Sequence, residues 1–158
     1  MIVNVSEPAV RLAGPADCVV IGELLDSFNR EFGDRTPGPQ KLAERIRQLM
    51  TDGDTDVLLA GRPHGLAVLR FRPAIWTEGL ECYVAELYVV PDRRRRGLGR
   101  ALMLAAMELA RERGADCIDL NTGAQDVAAR ALYESLGFSR TEGRPDGPVN
   151  YYYERELR

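Results

Sequence analysis

The sequence predicts an α/β fold in a single domain, with helices flanking a mixed sheet. Two observations carry this. Segments with helical periodicity and short β-prone runs follow one another in the order βααβββαβαβ, strands and helices taking turns in the second half. The length, 158 residues, is that of one domain. A chain of this size buries roughly 68–70% of its unfolded surface, enough for a core without disulfide or metal staples. No internal repeat, low-complexity tract or linker interrupts residues 1–158.

The elements follow from local pattern. Pro8–Leu12 is a short extended segment closed by the turn signal Gly14-Pro15. Across Ala16–Phe32, Val19, Val20, Leu24, Leu25 and Phe28 recur at helical spacing. The breaker-rich stretch 33–40 separates this helix from a second, Gln40–Met50, with Leu42, Ile46 and Leu49 on one face. Val57–Ala60 and Leu66–Phe71 form a hairpin around the turn 61–65. Cys82–Val90 is strongly β-prone and stops at Pro91. Gly97–Arg113 reads as a long helix ended by Gly114. Cys117–Leu120 is a short strand, Asp126–Leu136 a helix closed by Gly137, and Tyr151–Glu156 a last strand.

Composition removes several classes of function. The hydrophobic fraction, 45%, and the charged fraction, 28%, are those of a globular chain. A net charge of −3 is too balanced for a dedicated nucleic-acid binder. Cys18, Cys82 and Cys117 are odd in number, far apart and without CxxC spacing, which argues against a disulfide framework and a thiolate zinc site. His64 is the single histidine, so no His-rich metal site is expected. Residues 1–14 lack the basic and apolar regions of a secretory leader, and no run approaches 18 apolar residues. The expectation is a reduced, cytoplasmic protein with no membrane, nucleic-acid or metal partner. The basic side is lopsided, with Lys41 the single lysine. Coding bias accounts for this as a whole, although an arginine fork at a given site also grips phosphate bidentately.

The segment Leu87–Leu102, LYVVPDRRRRGLGRAL, is the most informative. A strand breaks at proline, four arginines follow, and Gly97-Leu98-Gly99 opens a helix. Free N–H groups and the macrodipole at a helix start attract anions, glycines let phosphate approach the backbone, and arginines add charge-assisted bonds. A Walker loop fails for want of its lysine, and a GxGxxG fingerprint fails at Leu102. A nucleic-acid contact through the Arg93–Arg96 run and a solvated charged face are the remaining alternatives.

Arg94-Arg95-Arg96-Gly97-Leu98-Gly99 resembles the R/Q-x-x-G-x-G/A signature of the GCN5-related N-acetyltransferases (GNAT family), which bind acetyl-coenzyme A. Downstream, the segment Asp126–Phe138, DVAARALYESLGF, resembles that family's N-x-x-A-x-x-L-Y-E-x-x-G-F. Together the two span an acetyl-CoA-binding core of about 82–140. The resemblance implies a mostly antiparallel mixed sheet splayed at its centre. It also implies acetyl transfer from acetyl-CoA, as cosubstrate, to a primary amine by direct attack in a ternary complex. The expected acceptor is a small molecule. A protein or peptide amine and a non-catalytic acetyl-CoA sensor are the alternatives, and a homodimer is left open.

Carried over residue by residue, Leu87, Tyr88 and Val89 would pair through their backbone with the pantetheine arm, and the Val89 N–H would face the thioester carbonyl. Arg94, Arg95, Arg96, Gly97, Leu98, Gly99 and Arg100 would hold the pyrophosphate, and Ala101 would allow close helix approach. Tyr133 takes the place of the general acid, with plain packing beside the coenzyme as its alternative. Asp126 stands where Asn is usual and contacts the coenzyme, caps its helix, or both. An alkylammonium of pKa about 10.4 is neutral only about one part in 10³ at pH 7.4, a deficit of roughly 4 kcal/mol, so a base is expected. Glu86 is the candidate, sharing a strand face with Tyr88 and Val90, against a solvated edge carboxylate as the alternative. The acceptor pocket of the family would be formed by the first two helices, the loop between them and the loop before the last strand, which here carry Asp26, Glu31, Asp34 and Asp146 beside Arg30, Arg35 and Arg144, mixed signs that give no clear selection.

Overall fold

The structure, a computed structural model, describes residues 8–158. Residues 1–7, half of the segment read for a leader, lie outside the described residues. Five strands lie in the order β1-β2-β3-β4-β5: β1 Val10–Leu12, β2 Thr55–Ala60, β3 Gly65–Pro73, β4 Leu80–Val89 and β5 Ala115–Asp119. Four helices accompany them: α1 Cys18–Glu31, α2 Pro39–Asp52, α3 Leu98–Glu112 and α4 Val127–Ser135. The chain divides into two compact units, one up to Ile118 and one from Asp119 to Arg158.

The first unit is a layered sheet. β1 to β4 pair antiparallel. α3 then carries the chain across to β5, and Leu80 N–H at the start of β4 donates to the carbonyl of Gly114 at the start of β5 (3.0 Å). The two strands therefore start side by side and run parallel, which makes the sheet mixed. β2 and β3 are apolar at nearly every position because both of their faces are covered. On one face Val57, Leu59, Leu66, Val68 and Tyr88 form a single core with Cys18, Ile21 and Leu24 of α1 and Ile46 of α2. On the other, α3 packs on β2, β3 and β4 and buries Leu98, Leu102, Met103, Ala106 and Ala110. Cys18 and Cys82 are buried and Cys117 is exposed, and none of the three is in a disulfide among the described residues.

Gly22 sets how closely α1 and α2 approach. A Cβ there would collide with the Pro39 carbonyl oxygen and come within 2.8 Å of the Ala43 nitrogen, both backbone atoms that cannot turn aside.

The β3–β4 register contains the irregularity on which the site depends. Val68 pairs with Glu86, but the next residue, Leu69, pairs with Val84. Ala85 is therefore extra, a β-bulge in which two residues of β4 oppose one of β3. Before the bulge, Cys82 and Val84 pair with Phe71 and Leu69; after it, Glu86 and Tyr88 pair with Val68 and Leu66, on the α1/α2 face. The even-numbered residues thus change faces at Ala85.

In the second unit, α4 begins at its N-cap Asp126, whose Oδ1 accepts the Ala129 N–H (3.0 Å). The last strand expected over Tyr151–Glu156 does not form. Chain reversal closes earlier, with Thr141 bridging Val149 and the Asn150 N–H donating to the Arg140 carbonyl. The tyrosines lie beyond that ladder, with Tyr151 77% and Tyr153 87% exposed. Their β-propensity expresses packing against paired strands, and among the described residues they are paired with none. The other expected elements lie within a few residues of their predicted bounds.

Gly22→Ala is expected to destabilise the fold by about 1–3 kcal/mol, the usual result of overpacking against fixed backbone, read as a lower urea midpoint at unchanged m-value.

Candidate active site

The bulge at Ala85 redirects the backbone as well as the side chains. Leu80 N–H points to β5, whereas Val90 N–H donates to the His64 carbonyl on the β3 side (2.9 Å). Strand groups alternate, so the N–H and C=O of Leu87 and Val89 point away from β3. The Val89 carbonyl confirms this direction, because it accepts a bond from Arg94 Nε outside the sheet (2.9 Å). β5 has five residues and starts beside Leu80, while β4 has ten, so β5 stops short of Val89. The second half of β4 thus presents an edge of backbone donors and acceptors to which no strand among the described residues is paired.

The arginine loop follows directly. Pro91–Arg93 makes one 3-10 turn, and Arg95 (φ 63°) and Gly97 (φ 81°) take left-handed backbone. Arg95 is the one non-glycine with positive φ among the described residues, a strain of the kind that gathers at ligand sites. Ala101 N–H is bonded to the Gly97 carbonyl (2.9 Å), so the amides of Leu98 and Gly99 precede the helical ladder at the positive end of the α3 dipole. Nothing stands within 4 Å of where a Gly97 Cβ would be, so the mouth of the helix is open. Arg95, Arg96 and Arg100 are exposed around it.

Arg94 is engaged elsewhere. Its guanidinium pairs with Glu31 at the end of α1 (2.6 Å) and lies over the Tyr88 ring, 5.8 Å from its centroid. The Tyr88 ring stacks on Phe28 of α1 (5.0 Å between centroids). Burial and the Glu31 charge push the Tyr88 phenol above its usual pKa, partly offset by Arg94. These groups fasten α1, the end of β4 and the arginine loop to one another.

On the α1/α2 face, a cavity of about 200 Å³ lies beside the bulge. Leu25, Ile46, Leu49 and Val68 form apolar lining, and Asn29, Arg45, Arg70 and Glu86 supply its polar groups. Burial pushes the Glu86 carboxyl above the ordinary carboxylate range, with no charged neighbour contributing. Arg70 brings a guanidinium from β3; its terminal nitrogen is 3.7 Å from Asp54, while its Nε is buried without a hydrogen-bond partner.

The loop charges expected around the acceptor are largely committed. Asp26 accepts from Arg30 Nε and Thr36 Oγ1 (2.7 Å each), bonds that hold its pKa down and tie the 33–38 loop to α1. Glu31 holds Arg94, and Arg144 pairs with Asp146 (3.1 Å). Arg70, Arg45 and Asn29 were not singled out from sequence. A charge at Arg70 inside the apolar run LAVLRF was the available signal for one of them.

In the second unit, Tyr133 sits half-buried on α4, its ring against the edge of Phe138 (6.1 Å between centroids). Burial foremost, and then the Asp126 charge, push its phenol up. Asp126 serves as the helix cap described above. Among the described residues no group of His, Cys, Asp and Glu could hold a metal ion, and no helix is long and apolar enough to cross a membrane.

Comparison with known proteins places this geometry. Residues 22–138 match the acetyltransferase (GNAT) family. The mycothiol acetyltransferase of Clavibacter michiganensis subsp. michiganensis is 40% identical over 88% of this chain and 42% of its own length. For the mycothiol acetyltransferase of Thermobispora bispora the figures are 47%, 40% and 22%, so the chain spans less than half the length of these relatives. The aminoglycoside N(6')-acetyltransferase type 1 of Stenotrophomonas maltophilia is 28% identical over 87% of this chain and 90% of its own. A crystal structure from Arthrobacter sp. FB24, provisionally assigned as an acetyltransferase, is 44% identical, with a TM-score of 0.88 over 98% of this chain and 99% of that one. The sheet with its outrun β4 edge, the open α3 mouth and these matches agree, and the chain belongs to the GNAT family of acetyltransferases.

Proposed function

We propose that this protein transfers the acetyl group of acetyl-CoA to the primary amine of a small molecule, by direct attack with both substrates bound. The observation that carries the reading is the position of Glu86. It lies in a cavity on the α1/α2 face, one residue before a β4 edge that points its backbone away from β3. Amine and thioester would thus meet along a single strand.

Acetyl-CoA supplies an activated acetyl carbon and a thiolate leaving group. Leu87 and Val89 offer the edge to its pantetheine amides, and the Val89 N–H is the donor toward the acetyl oxygen. Arg95, Arg96 and Arg100, with the first-turn amides of α3 from Leu98 and Gly99, hold the pyrophosphate. Gly97 leaves room for it, and Ala101 keeps the first turn slim. Arg94 acts as a strut that fixes the loop, through Glu31 and the Val89 carbonyl.

Glu86 takes the proton of the acceptor ammonium, directly or through a water. Its desolvated carboxylate is a stronger base than a surface glutamate. The amine nitrogen then bonds to the acetyl carbon, the carbon–sulfur bond breaks, sulfur leaves with a proton, and the nitrogen gives up its second proton to solvent, from which the donor to sulfur is reprotonated. Tyr133 is that donor. Its raised pKa keeps the phenol protonated, yet a thiolate of pKa about 8.5 draws on it only weakly. Motif position and protonation state support this role.

Thiol release from acetyl-CoA over a panel of small amines tests the reading. Wild-type kcat/KM is expected to be level in the neutral range and to fall on the acid side, as Glu86 takes up a proton at a pH above the ordinary carboxylate range. Glu86→Gln has to capture amine that is already neutral, so its kcat/KM should climb about tenfold per pH unit between pH 7 and 9. A variant with the wild-type profile removes Glu86 as the base. Tyr133→Phe should lower kcat by about 10² with little change in KM for acetyl-CoA; a parallel rise in KM would instead mark a packing role.

A further inference from the structure

We infer that the acceptor carries a carboxylate next to its amine: a small α-amino acid with an apolar side chain, held by Arg70 and Arg45. The inference rests on the cavity beside Ala85 being the acceptor site, as proposed above, and adds to it the class of molecule that enters.

The charges lining the cavity are unequal. Two guanidiniums, Arg70 and Arg45, face one carboxylate, Glu86. Glu86 makes no ion pair and Arg45 none among the described residues. Arg70 is 3.7 Å from Asp54 through its terminal nitrogen alone, and its Nε is buried with no acceptor. The side chain is 40% exposed, so its terminal nitrogens are what a carboxylate in the cavity meets first, and the edge made with Nε, costly to leave without an acceptor, closes on it once the guanidinium turns. An acceptor with several amines would set its further cations against two arginines, whereas an ammonium beside a carboxylate meets Glu86 and Arg70 with opposite charges.

Size and polarity narrow the class. The cavity of about 200 Å³ holds about seven waters' worth of volume at ~30 Å³ each. That gives room for an amino acid, with one side of the cleft open to solvent. Leu25, Ile46, Leu49 and Val68 offer apolar surface to its side chain. On the sheet, Val68 is the cross-strand partner of Glu86, and Arg70 is the next residue of β3 on the same face. A carboxylate on Arg70 and an ammonium on Glu86 therefore lie about two residues, 6–7 Å, apart along the strand direction, a span that an α-amino acid and its hydrogen bonds bridge.

The test compares L-leucine, L-leucinamide and 3-methylbutylamine as acceptors in the acetyl-CoA thiol-release assay. Leucine is expected to exceed both others by about 10- to 100-fold in kcat/KM, the range of a charge-assisted pair. Arg70→Gln should raise KM for leucine by a similar factor and affect leucinamide far less, and so abolish the discrimination; Arg70→Lys should restore part of it. Arg45→Gln, on the exposed side of α2, gives the same reading at smaller size should Arg70→Gln not fold. Equal or faster turnover of leucinamide or 3-methylbutylamine by the wild type overturns the carboxylate assignment and leaves acetyl transfer standing. Turnover of panel amines with Arg70→Gln affecting all of them alike does the same. No thiol release with any amine, despite saturable acetyl-CoA binding, overturns the proposed function and this inference with it.

Discussion

The extra residue at Ala85 governs the arrangement of the site. A regular β4 would carry the facing of Cys82 and Val84 on to Glu86 and Tyr88, and would turn the amides of Glu86 and Tyr88, not those of Leu87 and Val89, to the edge that β5 leaves uncovered. With one residue inserted against β3, Glu86 and Tyr88 take the face covered by α1 and α2, and the amides of Leu87 and Val89 point away from β3. A carboxylate that needs an amine and an edge that can pair with an amide-bearing arm thus fall on consecutive residues. The right-handed rule that ties side-chain face to N–H direction holds on both sides of the bulge, which is why one insertion changes both together.

Electrostatics is divided between holding and acting. Charges at Asp26, Arg30, Glu31 and Arg94 are spent on structure: Asp26 pins the loop after α1, and the Glu31–Arg94 pair fixes the arginine loop beneath the mouth of α3. Charges at Glu86, Arg70 and Arg45 are left without full compensation beside a cavity. The contrast distinguishes a structural ion pair from a group kept ready for a ligand. It also explains why counting acidic and basic residues along the loops gave no selection rule.

Much of this was legible before any coordinates. Helical periodicity found α1, α2 and α3, breakers bounded the hairpin, and the spacing of Arg94–Gly99 and of Asp126–Phe138 pointed to the family. The alternation rule placed Glu86 with Tyr88 and Val90 correctly, because all three lie after the bulge. It was silent on the change of face at Ala85, since a bulge leaves no mark in a β-prone run beyond a residue of weak β-propensity. Arg94 read like its three neighbours, and only its contact with Glu31, far off in sequence, sets it apart. Tyr151–Glu156 misled for the converse reason: aromatic residues invite a strand, but pairing needs a partner that sequence does not display. Arg70 was hidden because its significance lies in an unmet hydrogen bond, a property of packing.

Amide hydrogen exchange across β4, with and without saturating acetyl-CoA, tests the role of the bulge most directly. Tyr88 and Val90, bonded toward β3, should be protected in both states. Leu87 and Val89 should exchange readily in the protein alone and become protected when acetyl-CoA binds. Leu87 and Val89 amides that are already protected without acetyl-CoA, or that stay unprotected with it, would contradict the account, because the edge to which the Ala85 bulge assigns them would then not be where the cosubstrate pairs.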